Sequence, residues 1–151
     1  MTSTTAIASG NLSVESLLGG RSVLRAKPRT ALDWVSVIRQ GISSAAVDVL
    51  AKALQVTQSE LAAALGIPER TLARRKREGT LNSEESAKLV RLARVVERAE
   101  KVFDHLDTAL DWLKSPSAAL SGAVPLTLMV TDIGAESVLD TLGRIEHGVF
   151  A

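Results

Sequence analysis

From Thr57 to Arg77 the chain reads TQSELAAALGIPERTLARRKR, and this stretch limits the possible folds more tightly than any other. Leu61, Ala62 and Leu65 fall on one face of a first helix. Thr57 precedes it with Glu60 three residues on, the spacing at which each side chain caps the other's backbone amide. Gly66 follows where a left-handed residue is needed, a conformation that glycine adopts at least cost. Ile67 plugs the angle, and a second helix begins at Pro68 or Glu69. Pro68 suits a first-turn position but offers no side-chain acceptor where such motifs usually carry Ser or Thr. Leu72, with Thr71, holds this second helix from inside, while Arg70, Arg74, Arg75, Lys76 and Arg77 populate the rest of its surface. The product is a helix-turn-helix with a basic second helix, a shape that fits a DNA major groove.

A helical period cannot bring all five cations onto one groove. Arg70 and Arg74 stand four apart and Arg77 continues their stripe, so these three are assigned to the groove-facing edge. Arg75 and Lys76 are expected at flanking phosphates or in solvent. Together with Thr71 they complete the candidate DNA-binding set. A three-helix core carrying a solvated basic helix would present the same residues.

The rest of the chain supplies the surroundings. Residues 1–29 read as a mobile N-terminal segment, with one helical turn at Ser13 to Leu18 before Gly19-Gly20, then a basic arm or solvated linker around Pro28. Thr30 and Asp33 open a helix that Gly41 ends, with Trp34 as a core or interface residue. Ser43 or Ser44 caps the next, whose Val47, Leu50, Ala51 and Leu54 form a floor for the helix-turn-helix. Gly79 ends the basic helix, and Asn82 with Glu85 opens a long one. Leu89, Leu92, Val96, Ala99, Phe103, Leu106, Leu110 and Leu113 recur at steps of three and four, a seam that is either a dimer interface or an inner face. The cluster Asp104, His105, Asp107 predicts a break near Phe103 and a separate helix at about 107–114. Pro125 to Val130 is read as a helix for want of a second strand, and a last helix ends at His147-Gly148. The expected fold is all-α: a helix-turn-helix domain over 30–103 and a small helical domain over 104–151.

Charge divides the chain. The net is +2 over residues 1–67, +4 over 68–101 and −5 over 102–151. A basic middle beside an acidic end suggests two different partners, or two solvated faces of opposite sign. There is no Cys, and the two histidines lack metal-ligand spacing. No glycine-rich phosphate loop is present. An enzyme is not expected, nor a cofactor or metal. The absence of a membrane-length apolar run and of a signal-peptide pattern predicts a cytoplasmic protein without a membrane partner.

The run from Leu61 to Phe103 and the segment from Ala109 to Ala151 resemble the Xre/MbcA/ParS antitoxins of RES–Xre toxin–antitoxin pairs. The resemblance covers residues 31–151. Its most specific part is the order of ALDWL, Pro116, Gly122, Pro125-Leu126, Thr131, Gly134, Val138, Leu142 and the Gly-Arg-Ile-Glu-His-Gly-Val run. The first half is similar to a Xre/Cro-type helix-turn-helix, with Pro68 as a departure at the cap. The resemblance implies a RES-domain toxin as partner, an NAD-consuming enzyme resembling ADP-ribosyltransferases. It further implies that the last domain covers the toxin's active-site entrance and that the helix-turn-helix binds the pair's own promoter. An acidic domain suits a toxin pocket that holds the phosphates of NAD. Arg144, Glu146, Gly148, Val149, Phe150 and Ala151 are the candidate toxin contacts, with Arg144 pairing toxin carboxylates or capping its own helix. A homodimer is expected. The competing reading is a plain regulator whose C-terminal domain only dimerises.

Overall fold

A computed structural model describes residues 12–148, and among these all regular structure is helical apart from two isolated bridges. Val149, Phe150 and Ala151, along with most of the 1–12 stretch expected to be mobile, lie outside the described residues. The chain divides into two compact units. One is Val14–Ala93, and the other takes in the chain from Arg94 onward. The division falls inside a long helix rather than at its end near Phe103.

The first unit begins with α1 (Val14–Leu17) and α2 (Gly20–Leu24), which pack on α4 (Ala45–Leu54). The turn expected at Ser13 to Leu18 is α1, and α2 extends helical structure past Gly19-Gly20. Leu17 and Leu18 are fully buried, and Gly19-Gly20 makes a corner between two helical turns instead of a break. In chain order α3 (Ala31–Gln40) follows them. Its N-terminus has the expected capping box of Thr30 and Asp33, and Gly41 caps its end. No residue of α3 is buried; Trp34 is half-buried, and Leu32 is 77% exposed.

Ala46, Val47, Leu50 and Leu54 of α4 are buried and form the expected floor. On it sits α5 (Gln58–Leu65), against which α6 (Glu69–Glu78) packs. The Thr57–Glu60 capping box forms in full, with Glu60 N–H donating to Thr57 Oγ1 at 3.1 Å and Thr57 N–H to Glu60 Oε1 at 2.8 Å. Gly66 is left-handed at φ 70°, and Ile67 is buried in the angle. Pro68 provides no side-chain cap to α6, as its chemistry requires. The turn after α6 is laced to the turn before α4. Ser44 N–H donates to Gly79 O at 3.0 Å, Leu81 N–H to Ile42 O at 2.9 Å, and Ile42 N–H to the buried Ser86 Oγ at 2.9 Å. These bonds fix where the basic helix ends.

α7 (Ser83–Phe103) starts at an Asn82–Glu85 capping box and stops where predicted, with Asp104 in the left-handed region. The heptad-like seam resolves as an inner face: Leu89, Leu92, Val96, Ala99, Leu110 and Leu113 are all buried within the chain. In the second unit α8 (Leu106–Leu113) sets Trp112 against Phe103, ring centroids 5.7 Å apart. Pro125–Val130 is helical, but as a six-residue 3₁₀ helix. The run begins at Pro and is cut off by the cap of the next helix, a setting in which short 3₁₀ pieces are common connectors. α9 (Asp132–Glu146) follows, capped by Thr131, whose Oγ1 accepts from Gly134 N–H at 2.9 Å. Gly134, Ala135, Val138, Thr141 and Leu142 make its buried side.

Candidate functional site

Each unit carries one candidate surface. In the first, Leu72 is the buried anchor of α6. At about 100° per residue, Arg70, Arg74 and Arg77 project from the side opposite Leu72. All three are exposed. The one ion pair in this stripe, Arg74 Nε to Glu78 Oε2, is 3.8 Å long between half-exposed side chains, a contact of little energetic weight.

Arg75 and Lys76 flank Leu72 and are turned onto their own unit. Arg75 Nε donates to Glu85 Oε1 at 2.8 Å and its Nη1 to Glu78 Oε1 at 2.9 Å. The Glu85 hydrogen bond, then the Glu78 one, hold the Arg75 proton more tightly than usual. Glu85 Oε1 also accepts from Asn82 N–H at 2.9 Å, so one carboxylate caps α7 and ties α6 to it. Lys76 Nζ reaches Asp48 Oδ1 at 2.9 Å and Gln58 Oε1 at 3.2 Å, tying α6 to α4 and α5. Thr71 is half-buried beside Leu72. The five cations therefore sort into three facing outward and two that hold the helix. Sequence reasoning missed Asp48, Gln58 and Glu85 as partners. Of these, only Glu85 had a visible signal, and that signal pointed to its cap.

In the second unit, Arg144 is exposed on α9 and stands in the wall of two shallow depressions, of about 420 and 350 Å³. Asp140 lines both with it. Glu146 is paired with Arg98 of α7, and this hydrogen bond is the main cause that holds its carboxyl below the ordinary value of 4.5. The two candidate residues thus differ: Arg144 faces outward, and Glu146 fastens the last turn of α9. Gly148 is exposed with φ 75°. Among the described residues no group of His, Asp or Glu is placed to hold a metal ion. Among them, too, no helix is long and apolar enough to cross a membrane.

Residues 33–94 match the antitoxin Xre-like helix-turn-helix domain, and residues 98–148 match the antitoxin Xre/MbcA/ParS C-terminal toxin-binding domain. Over 119 residues the chain is 34% identical to an antitoxin Xre of Yersinia enterocolitica, covering 78% of this chain and 80% of that protein. The chain belongs to the Xre antitoxin family. An antitoxin Xre of Photorhabdus laumondii is 28% identical over 116 residues, covering 76% of this chain and 78% of its own. A Sphingobium protein named Prs ADP-ribosylating antitoxin is 28% identical over 141 residues, covering 87% of both chains. This Xre-family chain is thus an antitoxin with a helix-turn-helix domain and a toxin-binding domain, a binding and regulatory role rather than an enzymatic one. The outward stripe Arg70, Arg74 and Arg77 lies within the first match, and the Arg144 surface within the second.

Proposed function

We propose that this antitoxin neutralises an NAD-consuming RES-domain toxin by covering its active-site entrance with the toxin-binding domain, and represses its own promoter through α6. It acts in the cytoplasm. The observation that carries the reading is a toxin-binding domain whose outward arginine, Arg144, stands among exposed carboxylates and lines two depressions. A pocket built for the phosphates of NAD is cationic, and an acidic cover suits it. The Sphingobium relative's name joins an antitoxin to ADP-ribosylation, a reaction that consumes NAD. Arg144, Gly148 and the end Val149-Phe150-Ala151 are the toxin contacts; Glu146 serves by holding the turn from which that end leaves.

For DNA, the three outward arginines reach the groove, with Thr71 at the helix's inner edge, while Arg75 and Lys76 keep the helix in position. Two copies bind one operator, as two-fold half-sites require. With the seam buried, the exposed Leu32 and Val35 of α3 are the apolar surface of the first unit offered to a second copy.

The two activities separate by mutation. Removing residues 144–151 abolishes toxin inhibition and leaves operator binding intact. Arg70→Ala with Arg74→Ala weakens operator binding by about tenfold or more, flattens its salt dependence and leaves toxin inhibition intact. The free protein sediments as two chains. A truncated chain that still inhibits the toxin would refute the toxin half. Operator binding indifferent to both arginines and to salt would refute the other.

A further inference from the structure

Two glycines inside α9 differ in what requires them. A Cβ on Gly134 would lie 1.9 Å from the carbonyl oxygen of Leu128, so α9 can seat on the 3₁₀ helix only with glycine there. A Cβ on Gly143 would meet nothing within 4 Å, and its φ lies outside the left-handed region. Neither packing nor backbone conformation within the described chain calls for glycine at 143. Glycine inside a helix is nonetheless destabilising relative to alanine, and one use that offsets this is close approach by another molecule.

The surroundings of Gly143 fit such an approach. It lines the 420 Å³ depression with Leu139, Asp140, Arg144 and His147. Asp140 and Arg144 stand four residues apart, a spacing that lets a helix pair opposite charges, yet no ion pair joins them. At the other end of the helix Ile133 is 77% exposed. Ile133, Ser137, Asp140 and Arg144 follow at steps of four, three and four, one stripe of about 16 Å at the helical rise. The hydroxyls of Ser137 and Thr141 are spent on the helix itself, donating to the carbonyls of Ile133 and Ser137. What the stripe presents outward is an apolar end, a bare backbone and two charges with no ion pair among the described residues.

The geometry points to the whole outer stripe of α9, from Ile133 to Arg144, as the seat of the toxin's active-site rim. Ile133 enters an apolar socket on the toxin, Gly143 lies under the closest approach, and Asp140 and Arg144 each take a toxin group of opposite charge. The occupant is the toxin because the stripe lies within the matched toxin-binding domain, residues 98–148, and residues 102–151 net −5, a charge that a second copy of the same surface would repel. This rests on the toxin-binding reading and extends it from the end of α9 along its length.

The test uses full-length Gly143→Ala and Ile133→Glu, with a catalytically inactivated RES-domain toxin from the adjacent reading frame as probe. Affinity, melting temperature and mass are measured together. Gly143→Ala is expected to melt at the wild-type temperature or above it and to bind toxin at least about tenfold more weakly. Ile133→Glu is expected to melt as wild type and to lose about tenfold or more. Wild-type affinity in both variants, with binding lost on removal of 144–151, would overturn the stripe and leave the toxin reading standing. No binding by the wild-type chain would overturn both. A change in mass without a change in toxin affinity would assign the stripe to a second copy and overturn the proposal.

Discussion

Arg75 and Arg70 lie five positions apart on one helix and serve opposite ends. The Arg75 guanidinium is spent on Glu85 and Glu78, so its loss should be read in folding. Arg75→Ala is expected to lower the melting temperature by a few degrees, since it leaves the α7-capping carboxylate of Glu85, only 7% exposed, without its cation. Arg70→Ala should leave melting unchanged. Equal melting temperatures for the two variants would contradict the division of the basic helix into outward and holding cations. The outward stripe was legible in the sequence because it depends only on the helical period and on one buried leucine. The holding pairs were not. Arg75 meets Glu85, and Lys76 meets Asp48 and Gln58, only once α4, α5, α6 and α7 have packed. Residues 149–151, candidate toxin contacts in the sequence, lie outside what the structure describes.

Among elements, those with short-range signals came out as expected. The capping boxes at Thr30, Thr57 and Asn82 each close over three residues, and all three form. The break at Phe103 also followed from residues adjacent to it. Short apolar pieces were legible as helical but not in their detail. The turn expected at Ser13 to Leu18 formed as α1, whereas α2 after Gly19-Gly20, which packs on α4, had no sequence signal. Pro125–Val130 lacked the periodicity that separates 3₁₀ from α.

The end of α9 allows a test by pH. The Arg98 hydrogen bond depresses the Glu146 carboxyl below 4.5, so its folded value lies under its unfolded one. Its contribution is therefore complete above the unfolded value and is lost as pH falls through the folded one. Denaturant unfolding of wild type and Glu146→Gln across the acid range should show wild type the more stable at neutral pH, with the gap closing below 4.5. A gap that stays constant with pH would mean that the ion pair does not fasten the helix end.

For the whole molecule, a basic half and an acidic half belong to two compact units. The charge division was visible in the sequence; that it pairs with two family domains, over 33–94 and 98–148, gives it meaning. The domains were legible because the helix-turn-helix and the Gly-Arg-Ile-Glu-His-Gly-Val run are contiguous, whereas the boundary within α7 has no sequence mark. The central claim is that this antitoxin silences an NAD-consuming toxin by covering it. Cellular NAD, measured while a RES-domain toxin is expressed with and without this chain, tests it most directly. The account predicts that NAD collapses with the toxin alone and holds when the chain is co-expressed and co-purifies with it. NAD that falls equally in both cases, or that is spared without any complex forming, would contradict it.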